Sequence, residues 1–119
     1  RCAMKVTSDG KPDFSTLLSY GNEAVMLEKL ITETEKEMRL MQDEATKKDM
    51  KGLDAITHHL RSSWEVLRAD QPLRVLYGLL HGKDKPDTEA LSNAVTAVLD
   101  KGAEIIRLAE EERRKYENG

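Results

Sequence analysis

The chain has 119 residues, of which 34% are charged and 4% aromatic, and it carries a formal net charge of −3. That balance argues against nucleic acid or an anionic membrane surface as the main partner, and no apolar run approaches the ~18 residues needed to cross a bilayer. The length suits one domain with a single core, and the lone cysteine, Cys2, permits no internal disulfide framework.

Residues 1–12 read as a linker or the end of a preceding domain. Thr7-Ser8-Asp9-Gly10-Lys11-Pro12 is dense in turn formers. The chain starts at Arg1 rather than Met, so it is expected to be part of a longer protein. Residues 13–119 read as one helical domain. Asp13 is placed to cap a short helix carrying Phe14, Leu17 and Leu18, stopped by Gly21. Asn22 then stands as the N-cap of a long helix reaching to about Lys48. Its apolar stripe is Leu27, Leu30, Ile31, Thr34, Met38, Met41 and Ala45, spaced by three and four. Glu33, Glu37 and Asp43 are assigned to the opposite face, as solvated surface.

The next helix runs from about Asp49 to Arg68, with Met50, Leu53, Ile56, Leu60, Trp64 and Leu67 on one side. Asp70 and Pro72 are starting signals for another, holding Leu73, Leu76, Leu79 and Leu80 and ending at Gly82. After a polar loop from Gly82 to Pro86, Asp87 or Thr88 opens the last helix, striped by Leu91, Val95, Val98, Gly102, Ile105 and Ala109. Its tail, Glu110 to Gly119, is so charged that it is expected to fray or project into solvent.

No alternating β-branched segment, internal repeat or low-complexity tract interrupts this pattern. Two long and two medium amphipathic helices on short connections predict an all-α fold. The arrangement expected is an up-down antiparallel four-helix bundle with a short extra N-terminal helix. A monomer suffices to bury these stripes. Gly102 lies in an apolar stripe, where glycine costs about 1 kcal/mol relative to alanine, and so predicts a close helix–helix approach.

The stretch Thr57-His58-His59-Leu60-Arg61-Ser62-Ser63-Trp64 is the one segment with chemical potential. Residues three and four apart on a helix are neighbours in space. With Leu60 at the centre of the core face, Leu53, Ile56, Trp64 and Leu67 fall within roughly 40° of it and His58 lies about 160° away. His58 is therefore expected in solvent, with Ser62, Asp54 and Glu65 on the same outer side and Arg61 at its edge. His59 falls on a flank, as a boundary side chain. Adjacent histidines diverge on a helix and His81 is on another, so no zinc site is expected. His81 is placed to cap the end of its own helix, favoured there by the dipole.

Imidazole titrates near pH ~6.5, so near neutrality one ring nitrogen keeps a free lone pair. Such a nitrogen can attack a phosphoryl group that another protein presents already activated. Phosphoryl transfer asks of its catalyst mainly positioning and charge stabilisation. In this reading His58 is the phosphoacceptor, Arg61 offsets the negative charge of the transferring group, and the small Ser62 lets a partner surface come close. Asp54, one turn before His58, is placed to hold its second ring nitrogen. The chain has no Gly-rich phosphate loop and no evident carboxylate cluster for magnesium. It reads as a carrier without a kinase active site or cofactor of its own.

At this point the chain resembles a histidine phosphotransfer domain, the shuttle of multistep phosphorelays. The family motif, roughly H-x-L-[KR]-[SG]-[SA], is matched by His58-His59-Leu60-Arg61-Ser62-Ser63. Counting from His59 instead would put Ser62 in the basic position. Arg61 and Ser62 stand where lysine and glycine are commoner. The resemblance spans about residues 13 to 110, including Ile31-Thr32-Glu33-Thr34-Glu35, the Lys48-Asp49-Met50 turn and Gln71-Pro72-Leu73-Arg74. It is closest to the modules at the C-terminus of hybrid sensor histidine kinases. It implies a cytoplasmic location, in the cytoplasmic part of a membrane-anchored kinase where there is an anchor. It also implies aspartate-bearing receiver domains as phosphoryl donors and acceptors, with Mg2+ only in those receivers. Two other readings stand beside it. One is a non-catalytic helical docking module. The other is the dimerisation and phosphoacceptor domain of a histidine kinase, whose H-E-[LI]-[RK]-[TNS]-P box would need proline at Ser63.

Overall fold

Each apolar stripe with three–four spacing becomes a helix in the computed structural model, which describes residues 11–117. The five helices among them are α1 (Ser15–Leu18), α2 (Glu23–Lys47), α3 (Met50–Val66), α4 (Gln71–Leu80) and α5 (Thr88–Glu117). Among the described residues there is no strand, and no helix is long and apolar enough to cross a membrane. Most of the expected linker, with Cys2, lies outside them. Pro12, its last residue, is already buried, and the Asp13 backbone N–H donates to the Leu67 carbonyl at 2.8 Å.

Local chemistry sets the boundaries. The Asp13 carboxylate accepts from the Ser15 backbone N–H at 2.9 Å, a bond that holds its pKa below the ordinary value. Gly21 and Asn22, at φ +85° and 52°, make the left-handed turn between α1 and α2. Asn22 occupies the N-cap position, but its side chain makes no capping bond. Asp49 does cap α3, accepting from the Gly52 N–H at 3.0 Å, and Asp87 accepts from Ala90 N at 3.4 Å at the start of α5.

The ends of α2 and α3 share a device. Lys48 and Arg68 sit at φ 58°. Asp49 N donates to Glu44 O and Lys48 N to Ala45 O; Ala69 N donates to Trp64 O and Arg68 N to Glu65 O. Both are Schellman closures with a cation where glycine is usual.

α2 packs on α3 and α5, α4 also packs on α3 and α5, and α1 lies on α2. Leu27, Leu53, Trp64, Leu73, Val98 and Ile105 are at most barely exposed, and with their neighbours they form one core. Each such leucine contributes about 1.5–3 kcal/mol by leaving water. Gly102 is buried where α5 meets α2. A Cβ there would fall 3.0 Å from Met38 Cγ and closer still to its sulfur, which is the close approach its place in the stripe predicted.

Two sequence expectations need correction. Glu37 is not solvated surface but 7% exposed. It lies three residues after Thr34 and four before Met41, so it falls on the buried stripe, and a histidine from α3 supplies its partner. The charged tail does not fray within the described residues. α5 stays helical to Glu117, laced by Arg107–Glu111 and Lys115–Glu112 pairs and joined to α2 through Arg113 Nη1 and Glu28 Oε2 at 3.4 Å.

Candidate functional site

The apolar stripe of α3 decides where its histidines point. Leu53, Ile56, Leu60 and Trp64 are buried on one side of the helix, which turns His58 and Ser62 outward. His58 is exposed, and no hydrogen bond or ion pair engages its ring among the described residues. Thr57, beside it, is fully buried and returns its hydroxyl to the Leu53 carbonyl at 2.8 Å. His58, His59, Arg61, Ser62 and Glu65 line one shallow depression. Ser62 also borders a second, more apolar groove, where Leu17 of α1 and Tyr20 just after it, Met26 and Leu30 of α2, and Val66 of α3 come together.

The neighbouring histidines are both engaged. His59 Nδ1 lies 2.5 Å from Glu37 Oε1, with the His59 side chain 68% exposed and that of Glu37 only 10%. The boundary position of His59 thus serves a buried carboxylate on α2. His81 Nε2 lies 2.7 Å from Asp54 Oδ1. That pairing corrects one expectation: Asp54 reaches to the end of α4 and does not hold the His58 ring. His81 is the C-cap of α4, as its position predicted, with its backbone N–H bonded to Tyr77 O, and its side chain reaches back to α3. The physical reason is the crossing of α3 and α4: a carboxylate half-exposed beside their contact finds a cation-capable ring there.

Arg61 is also held. Its Nε lies 3.3 Å from Glu65 Oε2, one turn along α3, and its Cζ lies 5.2 Å from the centroid of the Tyr77 ring on α4. Tyr77 in turn stacks on His81, with centroids 4.2 Å apart and planes 26° from parallel. The sequence-predicted residues His58, Arg61 and Ser62 therefore share one surface. Tyr77 was not singled out by sequence reasoning. Its only signal was a four-residue spacing from His81 on the exposed side of α4.

No group of three His, Cys, Asp or Glu side chains able to hold a metal ion occurs among the described residues. No family model, curated protein or solved structure matches the chain.

Proposed function

We propose that this chain is a phosphorelay carrier of the histidine phosphotransfer type, folded as an up-down four-helix bundle, with α1 as the short extra helix. One observation carries the reading: His58 is an exposed imidazole with no protein partner among the described residues, in a depression it shares with Arg61 and Ser62. A neutral ring nitrogen attacks the phosphorus of an aspartyl phosphate on a receiver domain. The N–P bond forms as the P–O bond to the aspartyl carboxylate breaks, and the electron pair leaves with that carboxylate. The proton on the second ring nitrogen stays in place. Arg61 lies close enough to share the depression and offsets charge on the transferring oxygens. Return of the phosphoryl group to a second receiver runs the same step backwards.

The apolar groove that meets the depression at Ser62 gives a receiver something to rest on while its aspartate faces His58. Mg2+ belongs to the receiver in this reading, and a cytoplasmic setting within a hybrid sensor kinase follows from the same resemblance.

The test is incubation with a phosphorylated receiver, followed by assay for acid-labile, alkali-stable label on the carrier. Wild type and His59→Gln take up label and His58→Gln does not. Equal labelling of His58→Gln overturns the assignment, and loss confined to His59→Gln moves it by one residue.

A further inference from the structure

We propose that Tyr77 is a positioning residue for Arg61, the central member of a side-chain bracket that leaves α3 one turn before His58 and returns one turn after it. This inference rests on the carrier reading of His58. The bracket begins at Asp54, four residues before His58. It crosses to α4 through the 2.7 Å contact with His81 Nε2, passes along α4 by the 4.2 Å stacking of His81 on Tyr77, and returns to α3 where Arg61, three residues after His58, lies over the Tyr77 ring at 5.2 Å. No member touches His58, so the bracket cannot act by binding its ring. What it fixes is the guanidinium.

An arginine on an open helix surface samples many rotamers, and most of them point its charge away from any one place. Arg61 is restrained from two directions. Glu65 takes the Nε edge at 3.3 Å, and the aromatic face takes the flat side. The two Nη groups stay without a partner among the described residues, and they are the donors suited to the oxygens of a phosphoryl group. The Tyr77 hydroxyl makes no hydrogen bond among the described residues, so the ring face and not the hydroxyl carries the role. His81, clamped by Asp54, keeps that ring from turning aside. An exposed cation–π contact is worth a factor of roughly two to five in population, which sets the size of the effect.

The experiment pairs a structural readout with a kinetic one on the same proteins. In proton–nitrogen NMR spectra the Arg61 Nε–H of wild type shows the shift of a group over a ring face. That shift is lost in Tyr77→Leu and kept in Tyr77→Phe. Transfer from a phosphorylated receiver to His58 slows about two- to fivefold in Tyr77→Leu, returns to near wild type in Tyr77→Phe, and shows no further loss when Tyr77→Leu is added to Arg61→Ala. Circular dichroism melts of each variant separate these effects from unfolding. An Arg61 signal that ignores Tyr77→Leu overturns the bracket, whatever the chemistry at His58. A shifted signal with an unchanged rate, or a rate loss that adds to that of Arg61→Ala, overturns the positioning role. A wild-type domain that takes no label overturns the carrier reading itself, while the NMR result still decides whether Tyr77 holds Arg61.

Discussion

Glu37 and His59 meet across the α2–α3 contact, with a carboxylate that is 7% exposed taken up by an imidazole that is largely in solvent. The asymmetry matters. His59 can reach water if the pair is broken, whereas Glu37 cannot, so nearly all the cost of separation falls on the carboxylate.

Removing His59 therefore destabilises the domain even though His59 itself is exposed. His59→Ala should cost about 1–3 kcal/mol, the range for leaving a buried polar group unsatisfied, and lower Tm by several degrees. Adding Glu37→Leu to His59→Ala should recover much of that loss. Urea denaturation of the two singles and the double closes the cycle; strictly additive losses would show that the two side chains do not couple.

The corner between α2 and α3 predicts a pH signature. The Gly52 backbone N–H holds the Asp49 carboxyl below the usual value of 3.8, helped by Glu44. The hydrogen bond to Asp49, then burial, pushes Glu44 above its usual 4.5. A lowered Asp49 adds stability that is present above the unfolded pKa and is lost as pH falls through the folded one. A raised Glu44 adds stability that is full below the unfolded pKa and is lost as pH rises through the folded one. Glu44→Gln should thus gain Tm relative to wild type on going from acid toward neutrality, and Asp49→Asn should lose it. Melts recorded from pH 3 to 7 check both, and difference curves of the same sign would contradict the assignment.

Gly102 and Met38 predict a change of sign. Alanine in place of a helical glycine ordinarily gains about 1 kcal/mol, but here the new methyl meets the Met38 side chain at 3.0 Å or less. Gly102→Ala alone should destabilise by about 1 kcal/mol. In a Met38→Ala background, where the space is free, the same substitution should stabilise. Denaturation midpoints of the four proteins decide it, and equal effects in both backgrounds would rule out the contact.

Lys48 and Arg68 hold left-handed conformations that cost a non-glycine residue roughly 1 kcal/mol. Lys48→Gly and Arg68→Gly should each raise stability by about that amount while leaving the helices intact. Urea midpoints and circular dichroism measure both, and a loss of stability would mean that the side chains contribute more than the strain.

Ser62 borders both the depression at His58 and the apolar groove, and it is exposed. Ser62→Trp should change stability by less than about 0.5 kcal/mol. It should slow transfer from a receiver more than tenfold and leave labelling of His58 by the small donor phosphoramidate near the wild-type rate. Equal slowing with both donors would place the effect in the chemistry rather than in the docking of the partner.

The sequence carried the helices because each buries a stripe spaced by three and four. Leu27 to Met41, Leu53 to Leu67 and Val95 to Ala109 were all legible this way, as was the outward phase of His58. Charge was harder to place. Glu37 was assigned to solvent by residue type although its spacing from Thr34 and Met41 set it on the buried stripe. Asp54 was given to the nearest histidine along the helix, but its partner arrives from residue 81. That pairing depends on how α3 and α4 cross, and no periodicity within one helix encodes a crossing. For the same reason Tyr77, which reaches Arg61 only across that contact, was passed over.

The pairing of α2 with α5 has a consequence for how the protein is made. α2 ends at Lys47 and α5 begins at Thr88, and their contact reaches from Glu28 to Arg113. On the ribosome, the part of α2 that meets α5 emerges well before the surface that covers it exists. Helix formation itself is fast and local, and α3 follows at once, but closing the contact between α2 and α5 must wait for a loop of some 85 residues. A nascent chain stalled in the α4–α5 connection therefore presents a sticky half-domain, and the last helix acts as the latch that ends its exposure to chaperones and proteases.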